Sequence, residues 1–431
     1  MIIALFEDER YNNFLPITYT RAVFDIRIGL YTFLERARKH LGKIDSIYTR
    51  SYLSEIYKEE RGIDANVDYQ DEGILLVNSR VLLTERFAQL LKTKAEKLSE
   101  YIIVKEDTIV AIKTRGEIAS KLLTYLVKED YDHFNEQAYK ISNKLSMNKI
   151  ALFNYPWQII HHNSDTIKAD FKELRGKPWQ SEPDPRCVIY GNHKDIYIGR
   201  NTVIEAYVVL DATQGPIYID DDVKICSGTR IEGPTYIGKG TKIMSNSLIR
   251  EGSNIGPICR IGGEIEESII HGYTNKYHTG FIGHSYIGEW VNLGALTTNS
   301  DLKNTYGTVR LNLNGSRIDT NNRKIGCFIG DMTKTSIGTL IYTGKTIGIS
   351  SHLHGVVYED VPSFTIYAKT LGLDPVELRL ESAIETQRRM MARRGLNLTR
   401  TRERLIRYLY TLTQAERKRK NVIKSILKFP E

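Results

Sequence analysis

Isoleucine stands at every sixth position from Ile219 to Ile261, through Ile225, Ile231, Ile237, Ile243, Ile249 and Ile255. That period is neither the 3.6 of an amphipathic helix nor the 2 of a half-buried strand. It predicts a parallel β-helix, in which each hexapeptide supplies a short strand and its turn and each coil stacks its apolar residue on the next. Four residues after each isoleucine come Val223, Thr229, Thr235, Thr241, Ser247, Ser253 and Cys259, side chains small or branched enough for a tight inner corner. The period reaches back through Ile198, Ile204 and Leu210, with a small loop expected around 214–216, and forward to Ile287, Leu293, Ile329, Ile341, Ile347 and Leu353. Two large breaks are expected, at 263–281 and 299–328. Loops that interrupt a solenoid are where binding groups are usually mounted.

Residues 1–150 follow another rhythm. Apolar runs at 2–6, 46–48 and 74–78 predict strands, and the stretches at about 29–40 and 85–93 predict helices. Strands alternating with helices make a three-layer α/β domain with a mostly parallel sheet. Ligands sit at the carboxyl ends of such strands, here near 7–21 and 78–80. The chain end differs again. Residues 374–431 hold 15 Lys or Arg against 7 Asp or Glu, while residues 1–373 balance at 45 against 45. Asp374 followed by Pro375 predicts a helix start, Gly395 a stop, and a second helix is expected over about 399–427. The expected organisation is thus an α/β domain at 1–155, a linker at 156–185, a left-handed β-helix at 186–365 and a basic helical tail at 374–431. The tail reads as a helical hairpin packed on the β-helix end or on a neighbouring subunit. Contact of RRMMARR and ERKRK with nucleic acid or an anionic surface is the less favoured alternative.

Composition narrows the class. The chain has 431 residues, 41% of them hydrophobic, and no stretch approaches the roughly 20 apolar residues of a membrane span. MIIALFEDER is too short and wrongly flanked for a signal peptide, so a cytoplasmic location is expected. The four cysteines form no Cys-x-x-Cys pair and suggest neither disulfides nor zinc. His271, His284, His352 and His354 lack helical spacing with a partner acid, and no metal site is expected from them.

The segments FEDERYNNFLPITYTRAVFDIRIG (6–29), LLVNSRVL (75–82), YPWQIIHHN (155–163), HGYTNKYHTGFIGHSYIGEWVNLGALTTNSDLKN (271–304) and FIGDMTK (328–334) carry a resemblance. LPITYTRAVFDIRIG looks like the Pro-Leu-Thr signature of sugar-1-phosphate nucleotidyltransferases. With the six-residue repeat behind it, the chain resembles a divergent group of the GlmU-like family over about 1–365, the tail lying outside. The resemblance implies a nucleotidyltransferase-like domain, a left-handed β-helix acyltransferase, and a homotrimer with acyl-CoA bound between subunits. The N-terminal signature departs from the pattern. Where the family has a glycine-rich loop for the triphosphate, this chain has Glu7, Asp8 and Glu9, which would repel a triphosphate unless Mg2+ intervened. The family's magnesium-holding Gly-Asp falls on Asn78 and Ser79, and its lysine is missing. Arg21 and Arg27 are the nearby cations expected to hold a sugar phosphate in a degenerate site.

In the β-helix the resemblance places His278 on the position of the catalytic base. An amine acceptor must lose a proton before it attacks a thioester, and a histidine suits that task. It also places Asn292 and Asn299 on acceptor-sugar positions, and Ala295 and Thr297 where the pantetheine arm of acetyl-CoA passes. Lys276, Tyr277 and Lys303 are expected near the sugar phosphate. The expected reaction is acyl transfer from acetyl-CoA to an amino-sugar phosphate. The alternatives are Mg2+-dependent sugar-1-phosphate nucleotidyl transfer and a non-catalytic trimeric scaffold that binds an acidic partner through its tail.

Overall fold

In the computed structural model, which describes residues 1–69, 72–313 and 315–427, the N-terminal domain is one sheet with helices on both faces. Its strands are β1 (Ile2–Phe6), β2 (Ser46–Tyr48), β3 (Asp64–Ala65), β4 (Ile74–Asn78), β5 (Tyr101–Lys105), β6 (Thr108–Thr114) and β7 (Lys144–Ser146). They lie in the order β3-β2-β1-β4-β6-β5-β7. The β3-β2-β1-β4 half is parallel, and β6 pairs antiparallel with both β4 and β5. The five residues of β4 are all buried, as a strand covered on both faces requires.

The first helix, α1 (Phe33–Leu41), starts later than its sequence pattern suggested. Gly29, at φ +63°, sits in the turn of a short antiparallel hairpin that pairs Arg27 with Thr32. Thr32 then caps α1 reciprocally with Glu35, and this capping box fixes the start. Next come α2 (Ser54–Arg61), α3 (Glu85–Lys97), α4 (Gly116–Val127) and α5 (Tyr131–Ala138). The stretch at 156–185 contains α6 (Pro156–Phe171), whose Asn163 side chain donates to the carbonyl of Gly252 in the β-helix and accepts from the amide of Gly29. That helix therefore joins the two regions.

The repeat region is the three-sided parallel β-helix that its isoleucine period predicts. On its longest face Ile219 lies in register with Ile237, then Ile255, Ile270, Ile287, Ile329 and Ile347. Every ladder isoleucine from Ile219 to Ile261 is fully buried. At the corners the backbones of successive coils touch. A Cβ on Gly256 would lie 1.8 Å from the carbonyl oxygen of His271, so only glycine fits.

The two expected breaks differ in kind. Over 263–281 the coil does not open into a loop. It shortens, so that Ile265, Ile270, Lys276 and Ile282 keep the inward positions. The break at 299–328 is a true insertion, and it carries the hairpin Arg310–Leu313 with Ser316–Asp319.

The tail departs from its sequence pattern in two places. Asp374 and Pro375 lie in a strand, Leu373–Glu377, antiparallel to Thr365–Ala368 on the last coil; Val376 and Leu378 bury themselves there, and α7 (Leu380–Ala392) begins only afterwards. The second predicted helix is two, α8 (Arg400–Leu412) and α9 (Gln414–Arg419). They part at Thr413, whose hydroxyl bonds back to the carbonyl of Leu409. The tail caps the β-helix end and returns to the N-terminal domain, where Arg402 pairs with Glu60, Arg404 with Glu55, and Tyr408 stacks on Tyr52.

Candidate functional site

The carboxyl ends of β1 and β4 place Glu7, Asp8, Asn78 and Ser79 together, where an α/β sheet usually meets its ligand. The side chains of Glu7, Asp8 and Asn78 are already engaged, whereas the Ser79 hydroxyl is buried without a hydrogen-bond partner. Glu7, fully buried, bridges Nε and Nη of Arg50 at 3.2 Å and accepts the Val23 amide at 2.7 Å. Asp8 is held by Arg80 and by the Asn78 side-chain amide, which also donates to the carbonyl of Ile109. A magnesium ion needs free carboxylate oxygens. Glu7 and Asp8 spend theirs on arginines, and Asn78 presents its NH2 rather than an oxygen to Asp8, so these residues do not fit the ion.

Arg21 is also buried, and it faces the β-helix. Its guanidinium forks onto both oxygens of Asp331 at 2.9 and 2.6 Å and reaches Glu289 at 3.1 Å. Arg27 lies under the α1 edge, 5.1 Å above the ring of Tyr236. The two arginines that the sequence grouped at one sugar-phosphate site thus point to different parts of the interdomain seam.

The shortened coil places His278 on an open corner. Its imidazole is exposed and meets the Tyr277 ring edge-on at 5.1 Å between centroids. The adjoining corners stack on it through the backbone: the Leu296 amide donates to the carbonyl of Thr279, and the Gly338 amide to that of Ala295. Gly280, at φ +133°, ends the corner, and a Cβ there would lie 2.2 Å from the Thr297 carbonyl oxygen. The row continues into exposed apolar surface. Leu296, Ile337, Leu340 and Tyr342 are 59%, 78%, 46% and 55% exposed.

The other residues expected at this site are divided between its surface and the coil interior. Tyr277 is exposed beside His278, and Ala295 and Asn292 are half-buried, Asn292 accepting from the Asn275 side chain at 3.3 Å. Asn299 is in register with the inward Ile341, and its amide clamps Gly283, accepting from N–H at 2.9 Å and donating to C=O at 3.0 Å. Thr297 is buried against the Thr335 hydroxyl. Lys303 donates to the Thr308 carbonyl within the 299–328 insertion.

Lys276 replaces a ladder isoleucine. It stands in register with Ile261, is 1% exposed, and donates to the carbonyls of Gly262 at 2.7 Å and His278 at 2.8 Å. Burial draws its pKa down to about 8, against a weaker opposing pull from Glu264. Lys276 therefore holds the corner that carries His278 from below.

A second histidine was weighed in the sequence only as a metal ligand. His284 is buried with Nδ1 2.8 Å from Asp301 and Nε2 3.4 Å from Glu267. Burial opposes its charge, but the bonds to the two carboxylates prevail and lift its pKa to about 9. The signal was one of spacing, since residues 267, 284 and 301 are 17 apart, close to one coil, and so stack.

Residues 3–177 match the model of the sugar nucleotidyl transferase family. A bifunctional sugar-1-phosphate nucleotidylyltransferase/acetyltransferase of Sulfurisphaera tokodaii is 39% identical over 34% of this chain and 38% of its own length. The bifunctional protein GlmU of Methanocaldococcus jannaschii is 22% identical over 65% of this chain and 70% of its own. That of Thermotoga petrophila is 26% identical over 40% of this chain and 39% of its own. The match to the first of these relatives thus spans well under half of its length. A solved UDP-N-acetylglucosamine acyltransferase of Francisella novicida has a TM-score of 0.31 at 16% identity, covering 57% of this chain and 76% of that one, and supports no argument. Over residues 3–177 the chain is thus similar to the sugar nucleotidyl transferase family, and over parts of its length to bifunctional GlmU proteins.

Proposed function

We propose that this protein is a GlmU-like sugar-phosphate transferase that moves an acyl group from acyl-CoA to an amino-sugar phosphate at the His278 corner. The observation that carries this reading is an exposed imidazole beside a strip of exposed Leu296, Ile337, Leu340 and Tyr342. A soluble chain rarely leaves such a strip uncovered without a partner for it. In a homotrimer the strip would be covered by a neighbouring subunit, with the acyl-CoA arm along Ala295 and the sugar beside Tyr277 and Asn292. His278 takes a proton from the sugar ammonium, the freed amine attacks the thioester carbonyl, and the thiolate of CoA leaves and is protonated. Asn299, Thr297 and Lys276 shape the corner from inside. The N-terminal domain, whose acids are tied to arginines, serves here as a docking platform rather than as a nucleotidyl-transfer centre.

The test is CoA-thiol release from acetyl-CoA with glucosamine 1-phosphate. His278→Ala is expected to lower the rate about 10²- to 10⁴-fold with the fold retained. Undiminished turnover in that variant would remove His278 from the chemistry, and absence of turnover by the native chain across amino sugars would end the reading. Pyrophosphate release from a nucleoside triphosphate and a sugar 1-phosphate would instead establish nucleotidyl transfer.

A further inference from the structure

Among the described residues six arginines are buried: Arg21, Arg27, Arg36, Arg50, Arg80 and Arg417. Five have a carboxylate within 4 Å, respectively Asp331, Asp170, Glu7, Asp8 and Glu377 for Arg21, Arg36, Arg50, Arg80 and Arg417. Among the described residues Arg27 has no such ion pair. Its Nη1 makes a long bond of 3.4 Å to the Leu30 carbonyl, its guanidinium rests on Tyr236, and its Nε is buried without a hydrogen-bond partner. Glu35 and Asp25 favour its charge only from beyond ion-pair distance, and its unused buried donor is unfavourable.

Arg27 lines a solvent-connected cavity of about 610 Å³ between the N-terminal domain and the β-helix. One wall is Arg27, Tyr31, Glu35, Arg38 and Lys39, and the other is Tyr218, Asp220 and Tyr236. Arg38, exposed at the rim, likewise has no ion pair among the described residues, whereas its neighbour Lys39 is taken by Glu173. Two guanidinium forks at one cavity match a dianion, and phosphate accepts such forks two bonds at a time. Tyr197, Tyr218 and Tyr236 stack on one another at 5.1 and 5.5 Å, so their faces are covered and a ligand meets ring edges and hydroxyls. Asp220 spends one bond on the Asp221 amide and can accept hydroxyl donors.

We propose that this cavity is a binding site for a phosphorylated polyol, with the phosphate on Arg27 and Arg38 and the hydroxyls against Tyr218 and Asp220. The site lies away from the His278 corner and from the carboxyl ends of β1 and β4. Because its walls come from two regions, an occupant ties them together, and binding is linked to their docking.

The experiment is thermal unfolding of the full chain titrated with glycerol 3-phosphate, against sodium chloride at matched ionic strength and against glycerol. No acyl donor is present, so the result is independent of acyl transfer. Saturable stabilisation by glycerol 3-phosphate alone is expected. Arg38→Ala, which alters only the rim, should weaken the midpoint about tenfold, and Tyr218→Phe by less. A rise that chloride or glycerol reproduces, or the same midpoint in Arg38→Ala as in the native chain, overturns the proposal.

Discussion

The strand ends of the N-terminal sheet and the His278 corner of the β-helix are two places where this architecture could offer chemistry to a ligand, and they are built oppositely. At the strand ends Glu7 and Asp8 are buried and forked by Arg50 and Arg80, and the neighbouring Arg21 is spent on Asp331. At the corner the imidazole is exposed and the structural polar groups, Lys276, Thr297 and Asn299, are turned inward. The first arrangement converts charge into rigidity, and the second keeps a titratable group available on a rigid support. Charged residues at the right end of a sheet are thus a weak indication of a site until their partners are known.

The largest effect is expected at the seam that binds the two regions. Asp331 accepts from Arg21 twice, from the Thr20 hydroxyl and from the Glu289 amide. Asp331→Ala leaves Arg21 buried with Glu289 as its remaining acid and should lower stability by about 3–5 kcal/mol, read from urea unfolding. A loss below about 1 kcal/mol would mean that the seam is held by packing and that the contrast in charge is incidental.

The β-helix interior sets the next scale. Ile243 is fully buried, in register with Ile225 and Ile261 on the adjoining coils. Ile243→Ala should destabilise by about 2–5 kcal/mol in the same assay. A smaller change would show that single coils loosen without the rest.

Lys276 joins the two halves of the comparison, since it is a buried charge at the open corner. Its folded pKa of about 8 lies below the ordinary lysine value, so between about pH 8 and 10.5 the unfolded chain binds the proton and the folded chain does not. Stability therefore rises with pH through that window, and below pH 8 the folded state bears the full penalty of the buried ammonium, on the order of 3 kcal/mol. Lys276→Met should remove that rise. Parallel pH profiles for the two proteins would show that Lys276 does not titrate there.

What the sequence showed depended on whether the determining contact was periodic. The ladder from Ile219 to Ile261 was legible because every coil repeats the same packing, and His278 stood out through the segment around it. Lys276 could not be placed without the coil's shortening, which moves the inward position from 261 to 265 and 270 before it reaches 276. Asp374 and Pro375 carry a helix-start pattern, but burial of Val376 and Leu378 on the last coil overrides it. Arg21 looked like a phosphate ligand because its partner, Asp331, is 310 residues away and no local spacing announces it.

The smallest effect is expected where the tail meets the N-terminal domain, and it sharpens the contrast between charge that is buried and charge that is merely paired. Arg404 reaches Glu55 at 2.6 Å, the same distance as Arg21 to Asp331, yet the two side chains are 63% and 70% exposed. Water competes for both ions and salt screens them, so Arg404→Ala should change stability by no more than about 1 kcal/mol, and by less at high salt. The stacked Tyr52–Tyr408 rings and the buried Leu405, Ile406 and Leu409 keep α8 in place without that ion pair. If Arg404→Ala instead frees the tail, seen as rapid proteolysis between α7 and α8, then docking depends on surface charge. The basic residues of the tail would then belong with the Arg21–Asp331 seam as structural charge, whatever their exposure.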